Sequence, residues 1–140
     1  MANEKNQSGQ IEAVYPLSPM QQGMLFHSLL IKRTGVYIEQ LLCNLSEKVD
    51  EAALRQAWLT VVRRHAVLRT NFCWSDLDRP HQQVSVQVEV PWEQRDWCGI
   101  ADTELEKQLA DYLEADRHRG FDIAIAPLLR LTLSVCPKSS

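Results

Sequence analysis

The sequence has no excess of positive charge, no paired cysteine spacing, no glycine-rich loop and no uninterrupted apolar run, and each absence removes a class of protein. Fifteen Lys and Arg residues against eighteen Asp and Glu leave a net charge of -3, so nothing in the balance attracts nucleic acid nonspecifically. Cys43, Cys73, Cys98 and Cys136 form no C-x-x-C, and no histidine is placed to complete a zinc site; they read as reduced cysteines that behave as small buried hydrophobes. Five scattered glycines make no phosphate loop. Neither H-E-x-x-H nor G-x-S-x-G occurs. Residues 13–31 are uncharged and long enough for a bilayer span, yet Pro16, Ser18, Pro19, Gln21, Gln22, Gly23, His27 and Ser28 fall among them, which is too polar for lipid. The start MANEKNQSGQ has no basic region leading into an apolar stretch, unlike a signal peptide. The expectation is a cytoplasmic protein with no membrane, nucleic acid, metal or bound cofactor.

The 140 residues, 45% hydrophobic and 24% charged, suffice for one domain burying about two-thirds of its unfolded surface. Residues 1–10 read as a flexible polar tail. Ser18-Pro19-Met20-Gln21 reads as a capping box with proline at the first helical position. The helix it opens runs to about Ile31, apolar nearly all round, which predicts burial. Residues 36–45, VYIEQLLCNL, predict a strand. Between Asp50 and His65 the positions Ala53, Leu54, Ala57, Trp58, Val61 and Val62 keep helical spacing, with Arg63, Arg64 and His65 in the last turn. Alternation predicts strands over 67–74 and 84–90, the second ended by Pro91. Thr103 to Glu106 reads as another capping box, opening a helix that carries Leu105, Leu109, Tyr112 and Leu113 and stops at Gly120. A last strand covers 129–135. This order predicts an α+β fold of mixed α/β layers.

Of the four histidines, His81 and His118 read as solvated and His27 as a hydrogen-bonded core residue. Arg63 to Phe72 carries more information, because it joins a helix end directly to a strand that bears Arg69 opposite Leu68 and Phe72. A covered guanidinium there requires a carboxylate or carbonyl partner, since burying it unpaired costs several kcal/mol, on the order of 3 or more.

These residues carry a family resemblance. RRHAVLRTNF resembles the R-H-E-x-L-R-T-x-F motif of nonribosomal peptide synthetase condensation domains at Arg64, His65, Leu68, Arg69, Thr70 and Phe72, with Ala66 where the glutamate is usual. The opening helix is similar to the family's S-x-A-Q-x-R-[LM]-[WY] at Ser18, Gln21 and Met24. Its departures at Met20, Gly23 and Leu25 resemble the branch that takes a donor chain ending in a D-residue. FDIAIAPLLRLTL resembles the family's F-D-x-x-x-x-P-L-L-R at Phe121, Asp122, Pro127, Leu128, Leu129 and Arg130.

The resemblance implies a chloramphenicol-acetyltransferase-like fold, of which residues 11–136 would be the amino-terminal lobe and 137–140 a truncated end. It implies a tunnel entered by phosphopantetheine arms of donor and acceptor peptidyl carrier proteins, and a partner in the carboxy-terminal lobe. Ser18, Gln21, Arg64, His65 and Arg69 would line the tunnel or brace the site. The family's H-H-x-x-x-D-G is absent, since no two histidines are adjacent, so this chain is expected to hold no catalytic residue and to be inactive alone. Two rival readings are a noncatalytic module that docks a carrier protein or a lobe, and a stand-alone acyltransferase using His65 as base.

Overall fold

The computed structural model describes residues 10–31, 36–75 and 78–135. Apart from Gln10, the expected tail and truncated end lie outside the described residues, as does Cys136. The order is β1 (Ile11–Pro16), α1 (Pro19–Leu30), α2 (Glu51–Arg64), a 3-10 turn (Ala66–Arg69), β2 (Thr70–Cys73), β3 (His81–Ser85), β4 (Trp92–Asp96), α3 (Asp102–Arg119) and β5 (Leu131–Val135). The chain divides into two compact units.

The first unit comprises the chain up to Ser18, Asp50–Val90 and Ile123–Leu129. Its sheet has the order β1-β3-β2, antiparallel throughout. β3 takes the centre, with Val84 facing Ala13 on one side and Thr70 on the other. The strand expected at 84–90 is therefore displaced toward the N-terminus, because ladder partners exist only for His81 to Ser85. β1 has no counterpart among the expected strands. Its Ile-Glu-Ala-Val-Tyr run is short and mostly exposed, and pairing with β3, not an apolar face, makes it a strand. The strand expected at 67–74 begins three residues late, since Ala66–Arg69 closes a 3-10 turn first, with the Leu68 N–H donating to the His65 carbonyl at 3.0 Å. α2 follows the sequence closely: Asp50 Oδ1 accepts from the Ala53 N–H at 3.0 Å, and Val62 is the residue its apolar stripe buries.

The second unit comprises Pro19–Val49, Pro91–Asp122 and the chain from Arg130. β4 and β5 pair in parallel, Trp92 facing Leu131 and Asp96 facing Val135. β4 leaves no pattern in the sequence because WEQRD has a single apolar residue. α3 starts without a side-chain cap, and Ala101 holds the N-cap position in place of the expected Thr103, which lies inside the helix. The glycine stop is real: Gly120 sits at φ 60°, ψ -155°, a region essentially reserved for glycine.

Two expectations fail here. No residue of the strand expected at 36–45 joins a ladder among the described residues: strand composition alone does not make a strand, which also needs hydrogen bonds to a neighbouring edge. α1 buries only Leu25, while Met20, Phe26 and Leu30 stand in solvent, so the all-round apolar helix is not enclosed among the described residues.

Candidate functional site: the Arg69 strut and its flanking turn

The turn from α2 into β2 is built by backbone bonds. The His65 N–H donates to the Val61 carbonyl at 3.0 Å and ends α2 with extended dihedrals (φ -111°, ψ 105°). Thr70 Oγ1 donates back to the Ala66 carbonyl at 2.9 Å, locking the 3-10 turn onto the strand. That geometry turns Arg69 inward, where it is only 5% exposed.

Its guanidinium has the partners that burial demands. Nε donates to the Val62 carbonyl of α2 at 3.2 Å, and Nη1 donates to Glu12 Oε2 of β1 at 2.6 Å and to the Ser85 carbonyl at the end of β3. One side chain thereby ties a helix and two strands of the first unit. The requirement for a partner is legible in the sequence. Glu12 as that partner is not, because it stands 57 residues away in a strand the sequence does not reveal. Beside it, Asn71 is buried, and its Nδ2 donates to the Ala124 carbonyl at 3.0 Å while the Phe72 N–H donates to Ile123 O at 2.9 Å. Burial pushes the Cys73 thiol up from its ordinary range, and the Asn71 amide partly offsets this.

Of the other candidates in this unit, Arg64 and His65 have exposed side chains at the end of α2, and exposed Ser18 directly precedes α1. Gln21, half-buried in the first turn of α1, belongs to the second unit. The structure therefore joins Arg64, His65 and Arg69 through one turn, but only Arg69 is buried.

The second unit has its own polar knot, centred on Arg130, which the F-D-x-x-x-x-P-L-L-R pattern contains without revealing its partners. Arg130 Nε donates to Asp116 Oδ1 at 2.5 Å, its Nη1 and Nη2 to the Gly120 and Asp116 carbonyls at 2.5 and 2.6 Å, and its guanidinium carbon lies 4.2 Å from the centre of the Phe121 ring. Gln40 joins this knot, donating to Asp116 Oδ2 at 3.0 Å and to the Leu113 carbonyl at 2.9 Å while accepting from Arg117. Burial raises the Asp116 pKa, but hydrogen bonds from Arg130 and Gln40 and the charges of Arg130 and Arg119 outweigh it and hold the carboxyl below its usual range. A groove of about 530 Å3 runs along α3 between Ala110, Leu113, Glu114, Arg117 and His118.

Two further expectations give way to the structure. Cys43 and Cys98 are exposed, and Cys73 is half-buried, because two of the three lie in loops whose neighbours do not cover them. The hydrogen bond expected of His27 is missing at one ring nitrogen: among the described residues its buried Nδ1 has no partner, and the ring meets Tyr37 edge-on at 5.6 Å. Among the described residues no three His, Cys, Asp or Glu side chains converge as metal ligands, and no helix is long and apolar enough to cross a membrane.

Comparison with known proteins identifies the family. Residues 11–136 fit the Condensation domain model, and the chain belongs to that family. It is 50% identical over 123 residues to one of the linear gramicidin synthases of Brevibacillus parabrevis, covering 88% of this chain and 2% of that protein. The starter condensation domain of the rhizomide synthetase RzmA superposes with a TM-score of 0.70 at 21% identity, over 91% of this chain and 30% of that one. The epimerization domain from the third module of tyrocidine synthetase B gives a TM-score of 0.69 at 20% identity, over 94% and 29%. The chain is thus a partial condensation domain of the kind found in nonribosomal peptide synthetases, and it spans only a small part of the relatives it matches.

Proposed function

We propose that residues 11–136 form the amino-terminal lobe of a condensation domain whose complete form makes amide bonds between carrier-bound substrates. The family match across 11–136 carries this reading. In the reaction, the amine on an acceptor carrier attacks the thioester carbonyl on a donor carrier. The tetrahedral intermediate collapses to the amide, the thiolate leaves, and the amine proton passes to it. Both phosphopantetheine arms arrive on the carriers, and the domain itself holds no cofactor. Holding the two reactants in line, with donors aimed at the developing oxyanion, supplies most of such a rate enhancement without a covalent enzyme intermediate.

In this reading Arg69 is a positioning residue. It fixes the turn that bears Arg64 and His65, while Ser18 and Gln21 border the tunnel at the start of α1. None of them transfers a proton, and with no H-H-x-x-x-D-G in the sequence the chain is inactive by itself. Mass spectrometry of loaded donor and acceptor carriers tests this directly. Amide product is expected only when a carboxy-terminal polypeptide containing H-H-x-x-x-D-G is added. Product from the chain alone overturns the inactivity, and no product from the pair, where an intact condensation domain turns over the same carriers, overturns the lobe assignment.

A further inference from the structure

We propose that His81 and Gln83 form a pH-operated switch at the head of β3: His81 is held neutral with its proton on Nδ1, and protonation of the ring turns the Gln83 amide end for end. The ring has two partners. Its Nδ1 lies 3.3 Å from the Arg79 carbonyl oxygen, and its Nε2 lies 3.2 Å from Gln83 Nε2. A carbonyl oxygen only accepts, so Nδ1 donates to it and carries the hydrogen. An amide nitrogen only donates, so Gln83 Nε2 donates to the bare lone pair of the ring Nε2. The two contacts independently select the same tautomer of neutral imidazole. In the cation both ring nitrogens donate. The Arg79 contact survives, whereas the new Nε2–H meets an amide N–H. Half a turn about the last side-chain torsion of Gln83, which is broad and two-fold, brings Oε1 to the ring and replaces that repulsion with a charge-assisted hydrogen bond.

The strand keeps the two side chains together. Residues 81 and 83 share one face of β3, the central strand of its sheet. In the ladders His81 faces Pro16 and Cys73, and Gln83 faces Val14 and Asn71. Both side chains are half-buried, so protein groups, and not bulk water alone, satisfy the ring. The titratable and charged groups that face it from its own sheet and turn are Cys73, whose thiol burial holds in the uncharged form, and Asp78 and Arg79 of the preceding turn. β1 faces it with uncharged Pro16, and Asp76 lies outside the described residues. The protonation state of the ring therefore reaches Gln83 through the one contact at Nε2.

Nitrogen-15 NMR of the full chain reads both halves of the proposal. With the ring neutral, at pH about 8, long-range proton–nitrogen correlation is expected to show Nε2 of His81 as the bare nitrogen. Finding Nδ1 bare instead overturns the tautomer and the switch together. As the pH is lowered through the imidazole range, from about 8 to about 5, the side-chain NH2 resonances of Gln83 are expected to shift with the same midpoint as the His81 ring. Gln83 resonances that stay in place while the ring titrates overturn the switch. Gln83→Glu sets a carboxylate opposite Nε2 and is expected to raise the His81 midpoint by about half a unit or more, and an unchanged midpoint in a variant with the wild-type backbone spectrum counts against the contact. The wild-type titration needs no substitution, so it decides the question even where the variant fails to fold.

Discussion

Arg69 couples three elements through a single charge, and the two ends of its ion pair differ sharply: its own side chain is 6% exposed and that of Glu12 is 48% exposed. The asymmetry separates two substitutions. Arg69→Ala strips the Val62 and Ser85 carbonyls of their donor and removes the packed stem, and is expected to cost about 3 kcal/mol. Glu12→Gln leaves a hydrogen-bond acceptor in half-solvated surroundings and is expected to cost less than about 1 kcal/mol. Urea unfolding of both variants checks the order. Asp116 makes a pH-dependent contribution. Because its folded pKa lies below the usual carboxylate value, its ionised form is favoured by folding. That stabilisation is full above the unfolded pKa near about 3.9 and is lost as pH falls through the lowered folded value. The stability gap between wild type and Asp116→Asn is therefore expected to narrow between neutral and acid pH, read from urea midpoints at pH 7 and below.

At the scale of elements, the helix ends give the sharpest predictions. Asp50→Ala removes the side-chain acceptor of the Ala53 N–H and is expected to lower stability by about 1 kcal/mol. Gly120→Ala places a Cβ at φ 60°, ψ -155° with open space around it, so the cost is backbone strain alone, on the order of 1 to 3 kcal/mol. Circular dichroism melts with matched controls at exposed α3 positions check both. These two ends are legible in the sequence because capping chemistry is local: Asp50 and Gly120 act within four residues of themselves. β1, β4 and the segment at 36–45 are misread for the complementary reason. Ile11–Pro16 and Trp92–Asp96 are mostly polar or exposed and are strands only by virtue of β3 and β5, while 36–45 reads as a strand and joins no ladder among the described residues.

At the scale of the whole molecule, any polypeptide that completes the domain binds the folded chain and not the unfolded one, so it stabilises by mass action. At a hundredfold excess over the Kd the gain is about 2.7 kcal/mol, and a dose-dependent rise in Tm by differential scanning fluorimetry is the expected signature. The family motif turn is legible almost entirely, since R-R-H-A-V-L-R-T-N-F names the helix end, the buried arginine and the strand that follows. Its partners are not. By itself the sequence determined the local facts: that α1, α2 and α3 exist and where they stop, that Arg69 requires a counterpart if covered, and to which family the chain belongs. Only the tertiary structure decided that Glu12 answers Arg69, that Arg130 answers Asp116 across Gly120, and which extended runs become strands. Ion pairs and ladders are made between residues far apart in the chain, and no local propensity encodes which distant edge will be there to receive them.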